Sequence, residues 1–308
     1  MIVLSPDGNI ETEFDLNNKG EPFYTVKYKG NIVIDTSYMS FDFKDNPGLS
    51  KGFRVLNINT ESHDDEWEMP WGEQLTVRNQ NNELKIFLEE TTKLNRKMNI
   101  VFKVFNDGVG FRYEFPEQDN LDEVLIIDEN TEFNLTGDHD VWWIPGDWDI
   151  YEHVYNESKF SKIDALSKQN HPNLSATFIP ENAVNTPVTM RTSDGIHLSF
   201  HEANLTNYSG MTLKINNDNL SMVSELVGSE NLNGKAKLTA PFNTPWRTIQ
   251  IADKAGDLIE SKMILNLNEP NKIGDVGYFT PMKYVGIWWE MHIGKSTWDL
   301  EGSQDMTT

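Results

Sequence analysis

The sequence contains no cysteine. That absence excludes thiol catalysis, disulfide cross-links and cysteine-ligated zinc together. Basic residues are scarce: 26 Lys and Arg stand against 48 Asp and Glu, a net charge of −22 over 308 residues. Nucleic-acid binders carry basic patches, and anionic membrane surfaces attract Lys and Arg, so neither nucleic acid nor membrane is expected as a partner. No apolar run approaches the ~18 residues a membrane-spanning helix needs. The opening Met-Ile-Val-Leu-Ser-Pro-Asp-Gly has three apolar residues and then a turn, which is not an export-signal pattern. Neither a Gly-x-Ser-x-Gly elbow nor a phosphate-cradling loop occurs, so serine hydrolase and nucleotide chemistry gain no support.

What the chain does have is strand texture. Phe23 to Tyr28, Lys29-Gly30 and Ile32 to Ile34 predict a hairpin. Ile100 to Phe105 alternates apolar and polar residues, Asn106-Asp107-Gly108 punctuates, and Val109 to Phe115 resumes. Leu84 to Leu88, Val188 to Met190, Ile196 to Phe200, Met211 to Ile215, Thr248 to Ile251 and Met263 to Leu267 are further strand candidates. About a dozen strands before residue 270 predict a mainly β sandwich or barrel. The one helical candidate is a short segment at Phe160–Gln169. Beyond residue 270 the texture changes. Lys283 to Trp289 is a nearly continuous apolar run, the pattern of a strand covered on both faces in a parallel sheet. A parallel partner needs a crossover of a dozen or more residues, and 19 residues follow, so the expectation is a second domain that is opened and not completed.

Four clusters carry candidate chemistry. The richest is Asp138 to His153, where Trp142, Trp143, Trp148 and Tyr151 alternate with Asp147, Asp149 and Glu152. Aromatic faces and carboxylates together suit sugars, and carboxylate oxygens suit calcium. An acidic surface loop with its tryptophans in the core explains the same residues. His197, His201, Glu202 and Tyr208 form a second cluster without zincin spacing. Its ordinary reading is a hydrogen-bonded strand end. Asp64, Asp65, Glu66, Trp67, Trp71 and Glu73 form an acidic-aromatic patch with the look of a loop tip. Trp246-Arg247 suits a ligand clamp or, more simply, a structural pair. Glycosidic chemistry needs two carboxylates about 5–9.5 Å apart in space, and sequence spacing does not select them among 48.

Taken in order along the chain, these motifs resemble glycoside hydrolase family 97, bacterial α-glucosidases and α-galactosidases. The stretches are SPDGNIE from Ser5, EMPWGEQLTVRNQNNEL from Glu68, VFNDGVGFRYEFP from Val104 and WWIPGDWDIYE from Trp142. They continue with NTPVTMRTSDGIHLSFHEANLTNYSGMTL from Asn185, PFNTPWRTIQIAD from Pro241, LIESKMILNLNEPNKIGD from Leu258 and KYVGIWWEMHIGKSTW from Lys283. The resemblance implies a β-super-sandwich of the galactose-mutarotase type over residues 1–274. Residues 275–308 would then be a linker and the first strand and loop of an incomplete catalytic (β/α)8 barrel. It implies a calcium cofactor with one ligand here, Glu152, in the PGDxDxxE stretch. It implies no catalytic carboxylate on this chain, since those of the family lie on later barrel strands. Trp288, Trp289, His292, His201 and Glu202 become candidate substrate contacts, an oligosaccharide becomes the expected partner, and the periplasm the expected compartment. Oligomeric state stays open. The function implied is the N-terminal part of an exo-acting α-glycosidase that is inactive by itself; a stand-alone carbohydrate-binding module or a structural sandwich domain are the alternatives.

Overall fold

The structure is a computed structural model that describes residues 1–70, 72–169, 177–278 and 280–283. Nineteen strands are described. The first nine are β1 (Ile2–Leu4), β2 (Ile10–Leu16), β3 (Pro22–Tyr28), β4 (Asn31–Phe43), β5 (Phe53–Glu68), β6 (Thr76–Glu90), β7 (Lys97–Phe105), β8 (Gly108–Phe115) and β9 (Glu123–Leu135). The rest are β10 (Asp140–Trp143), β11 (Asn156–Lys159), β12 (Ala183–Asn185), β13 (Val188–Arg191), β14 (His197–Ala203), β15 (Met211–Asn216), β16 (Ser221–Leu226), β17 (Ala236–Thr239), β18 (Phe242–Asn243) and β19 (Trp246–Ala252). Two short helices follow, α1 (Ala255–Glu260) and α2 (Met263–Asn266). The strands form two antiparallel sheets. One has the order β1-β2-β3-β4-β9-β16-β15-β12, with β17 also on β9; the other runs β11-β10-β13-β14-β19-β8-β7-β6-β5, with β18 on β8.

The sheets lie face to face because each presents one apolar face. In β3 every second residue, Pro22, Tyr24, Val26 and Tyr28, is buried, and β9 alternates similarly. The two inner faces meet through aromatic side chains. Tyr24 of β3 lies 4.9 Å from Phe111 of β8, and Phe41 of β4 stands edge-on to Tyr113 at 4.7 Å. Phe133 of β9 meets Phe200 of β14 at 5.4 Å. Edge-to-face pairs of this kind add about 0.5–1.5 kcal/mol each beyond the area they bury.

The predicted hairpins form. Tyr28 pairs with Asn31 across Lys29 (φ 50°) and Gly30 (φ 82°), two positive-φ positions that match the right-handed twist of the strands. In the second hairpin Phe105 pairs with Gly108, so the turn is Asn106-Asp107 and the glycine opens β8. A Cβ at Gly108 would lie 2.4 Å from the Ile249 carbonyl oxygen, so the residue serves close strand approach as well as the turn.

Three expectations need correcting. Met263–Leu267 is no strand: Met263–Asn266 is one helical turn. It caps the outer face of the ten-stranded sheet, where Met263 and Leu267 pack with Val101, Phe105, Ala203 and Trp246. Gly110 makes room for it, since a Cβ there would meet Leu267 Cδ1 at 2.6 Å. The Phe160–Gln169 segment forms two single 3₁₀ turns, Phe160–Lys162 and Leu166–Lys168, instead of one helix. The acidic-aromatic patch is a loop tip only in part: Glu73 lies in the β5–β6 connection, but Asp64 to Trp67 belong to β5, a 16-residue edge strand. Its outer part is exposed on both faces, which removes the alternation by which strands are recognised, and its charges block pairing with another chain. Trp71 of that patch, and the predicted barrel strand from Tyr284 to Trp289, lie outside the described residues.

Candidate functional site

β10 carries Trp142 and Trp143 and then runs into the Ile144-Pro145-Gly146-Asp147 turn. Trp143 is a core residue whose Nε1–H donates to Ser158 Oγ at 2.9 Å. The turn is stitched to β12: Gly146 N–H donates to the Ala183 carbonyl at 2.7 Å, and Asn185 N–H to the Ile144 carbonyl at 3.2 Å. The backbone approaches so closely that a Cβ at Gly146 would sit 3.1 Å from the Ala183 carbonyl.

The loop that follows is organised by Asp147, which is buried. Its Oδ1 accepts from the backbone N–H groups of Asp149 (2.9 Å) and Ile150 (3.2 Å) and from the Thr177 hydroxyl (3.0 Å). Its Oδ2 meets His153 Nε2 at 3.0 Å. Asn185 grips the same loop from beneath, accepting from Asp147 N–H and donating to the Ile150 carbonyl at 3.1 Å. Burial pushes the Asp147 carboxyl upward, but the hydrogen bonds from Asp149, His153, Ile150 and Thr177 outweigh it and hold the group below the usual carboxylate range. A depressed folded-state value stabilises the loop above the unfolded pKa of about 3.9, and that contribution is lost as pH falls through the folded value. Amide-exchange protection at Asp149 and Ile150 is therefore expected to stay level between about pH 5 and 8 and to fall in more acidic solution. In Asp147→Asn it should be several-fold lower at neutral pH, because the charge-assisted bonds are gone.

Anchored from below, the loop turns its other residues outward. Trp148 is 40% exposed, and Tyr151 and Tyr155 each 59%. Glu152 stands among them, exposed, with no hydrogen bond or ion pair to another described residue. Among the described residues no group of three His, Asp or Glu side chains is placed to hold a metal ion. One carboxylate supplies at most two of the six to eight oxygens that calcium takes, so these residues do not form a calcium site by themselves.

A second group of candidate residues belongs to a charged network in the core. Glu202 of β14 is paired in register with Arg247 of β19. Arg247 Nη1 donates to Glu202 Oε2 at 2.7 Å, and Nε and Nη2 make a two-pronged contact with Glu129 of β9, both at 2.7 Å. The arginine thus bridges the two sheets, and Arg247 and Glu129 are fully buried. The Tyr208 hydroxyl donates to Glu129 Oε2 at 2.9 Å, and Met211 N–H to Glu202 Oε1 at 3.0 Å. Burial raises the Glu202 carboxyl, opposed by the Arg247 charge.

His201 and Glu202 are neighbours on a strand and so leave it on opposite faces. Each finds its own partner around Met211. His201 Nδ1 lies 3.1 Å from Thr186 Oγ1, whose hydroxyl donates to the Met211 carbonyl, so the imidazole is the donor of that pair. Burial lowers the His201 pKa and keeps the ring neutral. Tyr208 joins Glu202 through Glu129, whereas His197 stays apart, its Nδ1 buried without a partner. The Trp246-Arg247 pair is structural, for Trp246 turns to the opposite side, under Arg112 at 4.5 Å and Lys103 at 5.6 Å. Trp288, Trp289 and His292 lie outside the described residues. Sequence reasoning passed over Glu129 and Asn185, and it placed Asp147 in the richest cluster without singling it out as the organising residue. Glu129 had one available sign: it is a carboxylate inside a long strand whose other inward positions are apolar apart from Thr131.

Comparison with known proteins adds four findings. The family described as glycosyl-hydrolase 97 N-terminal matches residues 3–270. A curated relative, the retaining α-galactosidase of Bacteroides thetaiotaomicron, is 21% identical over 328 aligned residues, which take in 99% of this chain and 46% of that protein. A glycoside hydrolase family 97 enzyme from a Pseudoalteromonas species, solved in complex with acarbose, superposes with a TM-score of 0.85 at 38% identity, covering 97% of this chain and 42% of that one. A β-arabinopyranosidase at 20% identity and a TM-score of 0.67 shares the fold. The chain therefore spans less than half the length of the relatives it matches. By the extent of the family match and by its two-sheet architecture, the chain belongs to the glycosyl-hydrolase 97 N-terminal family.

Proposed function

We propose that the chain is the sandwich portion of a calcium-dependent, exo-acting α-glycoside hydrolase of the α-galactosidase or α-glucosidase type. In this reading the sandwich does no bond-breaking. It presents one metal ligand, Glu152, to a catalytic centre whose acid and base carboxylates lie on a (β/α)8 barrel beyond it. The observation that supports this is the build of the 147–155 loop. Asp147 and Asn185 hold its underside rigidly, while Glu152 and three aromatic side chains are turned out to solvent. A carboxylate held so firmly and left without a partner is suited to join a site completed from elsewhere. When bound, calcium would polarise the substrate or orient the acid-side carboxylates. Trp288, Trp289 and His292 remain proposed sugar contacts at the barrel mouth.

The test is release of 4-nitrophenol from 4-nitrophenyl α-galactoside and α-glucoside by the full-length protein. Glu152→Gln is expected to lower kcat/KM at least about tenfold, the loss that removal even of an outer-shell metal partner brings. A chelator should lower the wild-type rate, and added calcium should restore it. The 308-residue chain alone should release nothing. A full-length enzyme indifferent both to the substitution and to the chelator would overturn the metal role, and turnover by the isolated chain would overturn the division of labour.

A further inference from the structure

The nine-stranded sheet has an outer face that the reading above does not use. A groove of about 1340 Å³ crosses it, over adjacent strands β4, β9, β16 and β15. That exceeds the ≈ 300–1,000 Å³ of most small-molecule pockets. Four strands at ~4.8 Å spacing give it a length of about 15 Å, enough for a short chain of sugars and too long for one.

Its lining is unusual. Asn130, Asn134, Asn182, Asn216, Asn217 and Asn219 all contribute. Several of these amides are locked in orientation. Asn182 Nδ2 donates to Asn217 Oδ1 at 2.9 Å, and Asn217 Nδ2 to the Ile163 carbonyl at 3.0 Å. Asn134 Nδ2 donates to the Thr36 carbonyl at 2.6 Å, which leaves its Oδ1 to accept from a ligand. Tyr38 stands at one end, 37% exposed, its ring fixed against Phe23 at a centroid distance of 5.9 Å. The charges present are mostly carboxylates, Asp35, Glu132 and Asp218, and the one cation, Lys214, is engaged by Glu181 at 3.1 Å.

This chemistry selects a ligand class. An acidic wall repels phosphate, nucleic acid and anionic lipid. A peptide would look for an open strand edge, and this groove crosses the middle of a sheet. Amides that both donate and accept, carboxylates that accept, and an aromatic face for C–H surfaces suit a neutral polyhydroxylated chain. Because the amides are already held in place, binding spends little on ordering them.

We propose that this groove is a carbohydrate-binding site for a neutral linear oligosaccharide. It goes beyond the hydrolase reading and does not depend on it. The test uses the full-length protein with maltoheptaose and stachyose as probes, by calorimetry and by retention in polysaccharide-containing native gels. Tyr38→Ala combined with Asn130→Ala is expected to weaken binding of at least one probe about tenfold or more. Tyr38→Phe, which keeps the ring, should bind within about twofold of wild type. Both variants should keep the wild-type thermal midpoint within a few degrees, as expected for an exposed Tyr38 and a half-buried Asn130 that both lie outside the core, and the wild-type rate on a 4-nitrophenyl glycoside. Three results would overturn the proposal: no binding of either probe by wild type, wild-type binding by the double variant, or binding wholly accounted for by competitive inhibition of the small substrate with the same constant. A protein without hydrolase activity that still loses probe binding in the double variant would leave this site standing and remove only the catalytic reading.

Discussion

Arg247→Met is expected to cost about 3–5 kcal/mol of folding stability, the loss typical of removing one partner from a buried ion pair. At about 2 °C per kcal/mol for a chain of this size, the thermal midpoint should fall by about 6–10 °C. The reason lies in what stays behind. Glu129 is fully buried and Glu202 nearly so, and their two carboxylates would share a dry space without a cation. Their remaining partners, the Tyr208 and Thr131 hydroxyls and the Met211 N–H, bond them without neutralising them. The Glu202 carboxyl, which burial already raises, would then lose the Arg247 charge that opposes that rise. A raised folded-state pKa means that the penalty sets in above the unfolded value of about 4.3 and grows until the folded value is passed. The deficit should therefore be smaller at about pH 4.5 than at pH 7. A triple variant, Arg247→Met with Glu129→Gln and Glu202→Gln, should recover most of it, because the charges leave together. Arg247→Lys should not, since an ammonium cannot reproduce the three directed bonds. Urea unfolding at the two pH values measures all of this. A single variant as stable as wild type would show that the network contributes nothing.

Phe111→Ala is the second large effect, expected at about 3–5 kcal/mol. Phe111 is fully buried at the centre of the inter-sheet layer. Its ring lies 4.9 Å from Tyr24, 5.5 Å from Phe102, 6.2 Å from Phe133 and 6.4 Å from Tyr113. No single neighbour can swing into the vacated space without abandoning its own contacts, so the cavity persists and adds to the lost transfer energy. Phe111→Leu retains most of the volume and should cost less than half as much. Chemical unfolding of the two variants side by side gives the comparison. A Leu variant as unstable as the Ala variant would point to ring-specific contacts in place of filled volume.

How much of this was legible beforehand follows from what a strand reveals in one dimension. The Lys29-Gly30 turn and the strands of the sandwich were legible because one face is wet and one is dry, which writes alternation into the residues. β5 was not, since much of it is wet on both faces. α2 was misread because four apolar or amide residues read alike as a strand or as one helical turn, and the choice was made by a glycine 150 residues earlier. Glu152 was singled out by resemblance alone; no spacing rule picks one carboxylate from forty-eight. The Arg247 network was half visible, in that Glu202 and Arg247 each drew notice but their cross-strand register did not, and Glu129 comes from the other sheet. Contacts between sheets depend on sheet order, which local pattern does not contain.

The position of β19 has a consequence for the order in which this protein can form. Among the described residues it is the last strand in sequence, yet it lies in the interior of the ten-stranded sheet, between β14 and β8. Its pairing with β8 joins residues 247–250 to residues 108–111, well over a hundred positions apart. During synthesis the ribosome therefore delivers two half-sheets, β5 to β8 and β11-β10-β13-β14, with facing edges and nothing between them. Each half exposes unpaired backbone until residues 246–252 emerge. Non-local closure of this kind is slow and leaves open edges vulnerable to pairing with other chains. The same strand also delivers Arg247 to Glu129. The step that closes the sheet is thus the step that neutralises the core carboxylates, so the assembly cannot tighten fully before its final strand arrives.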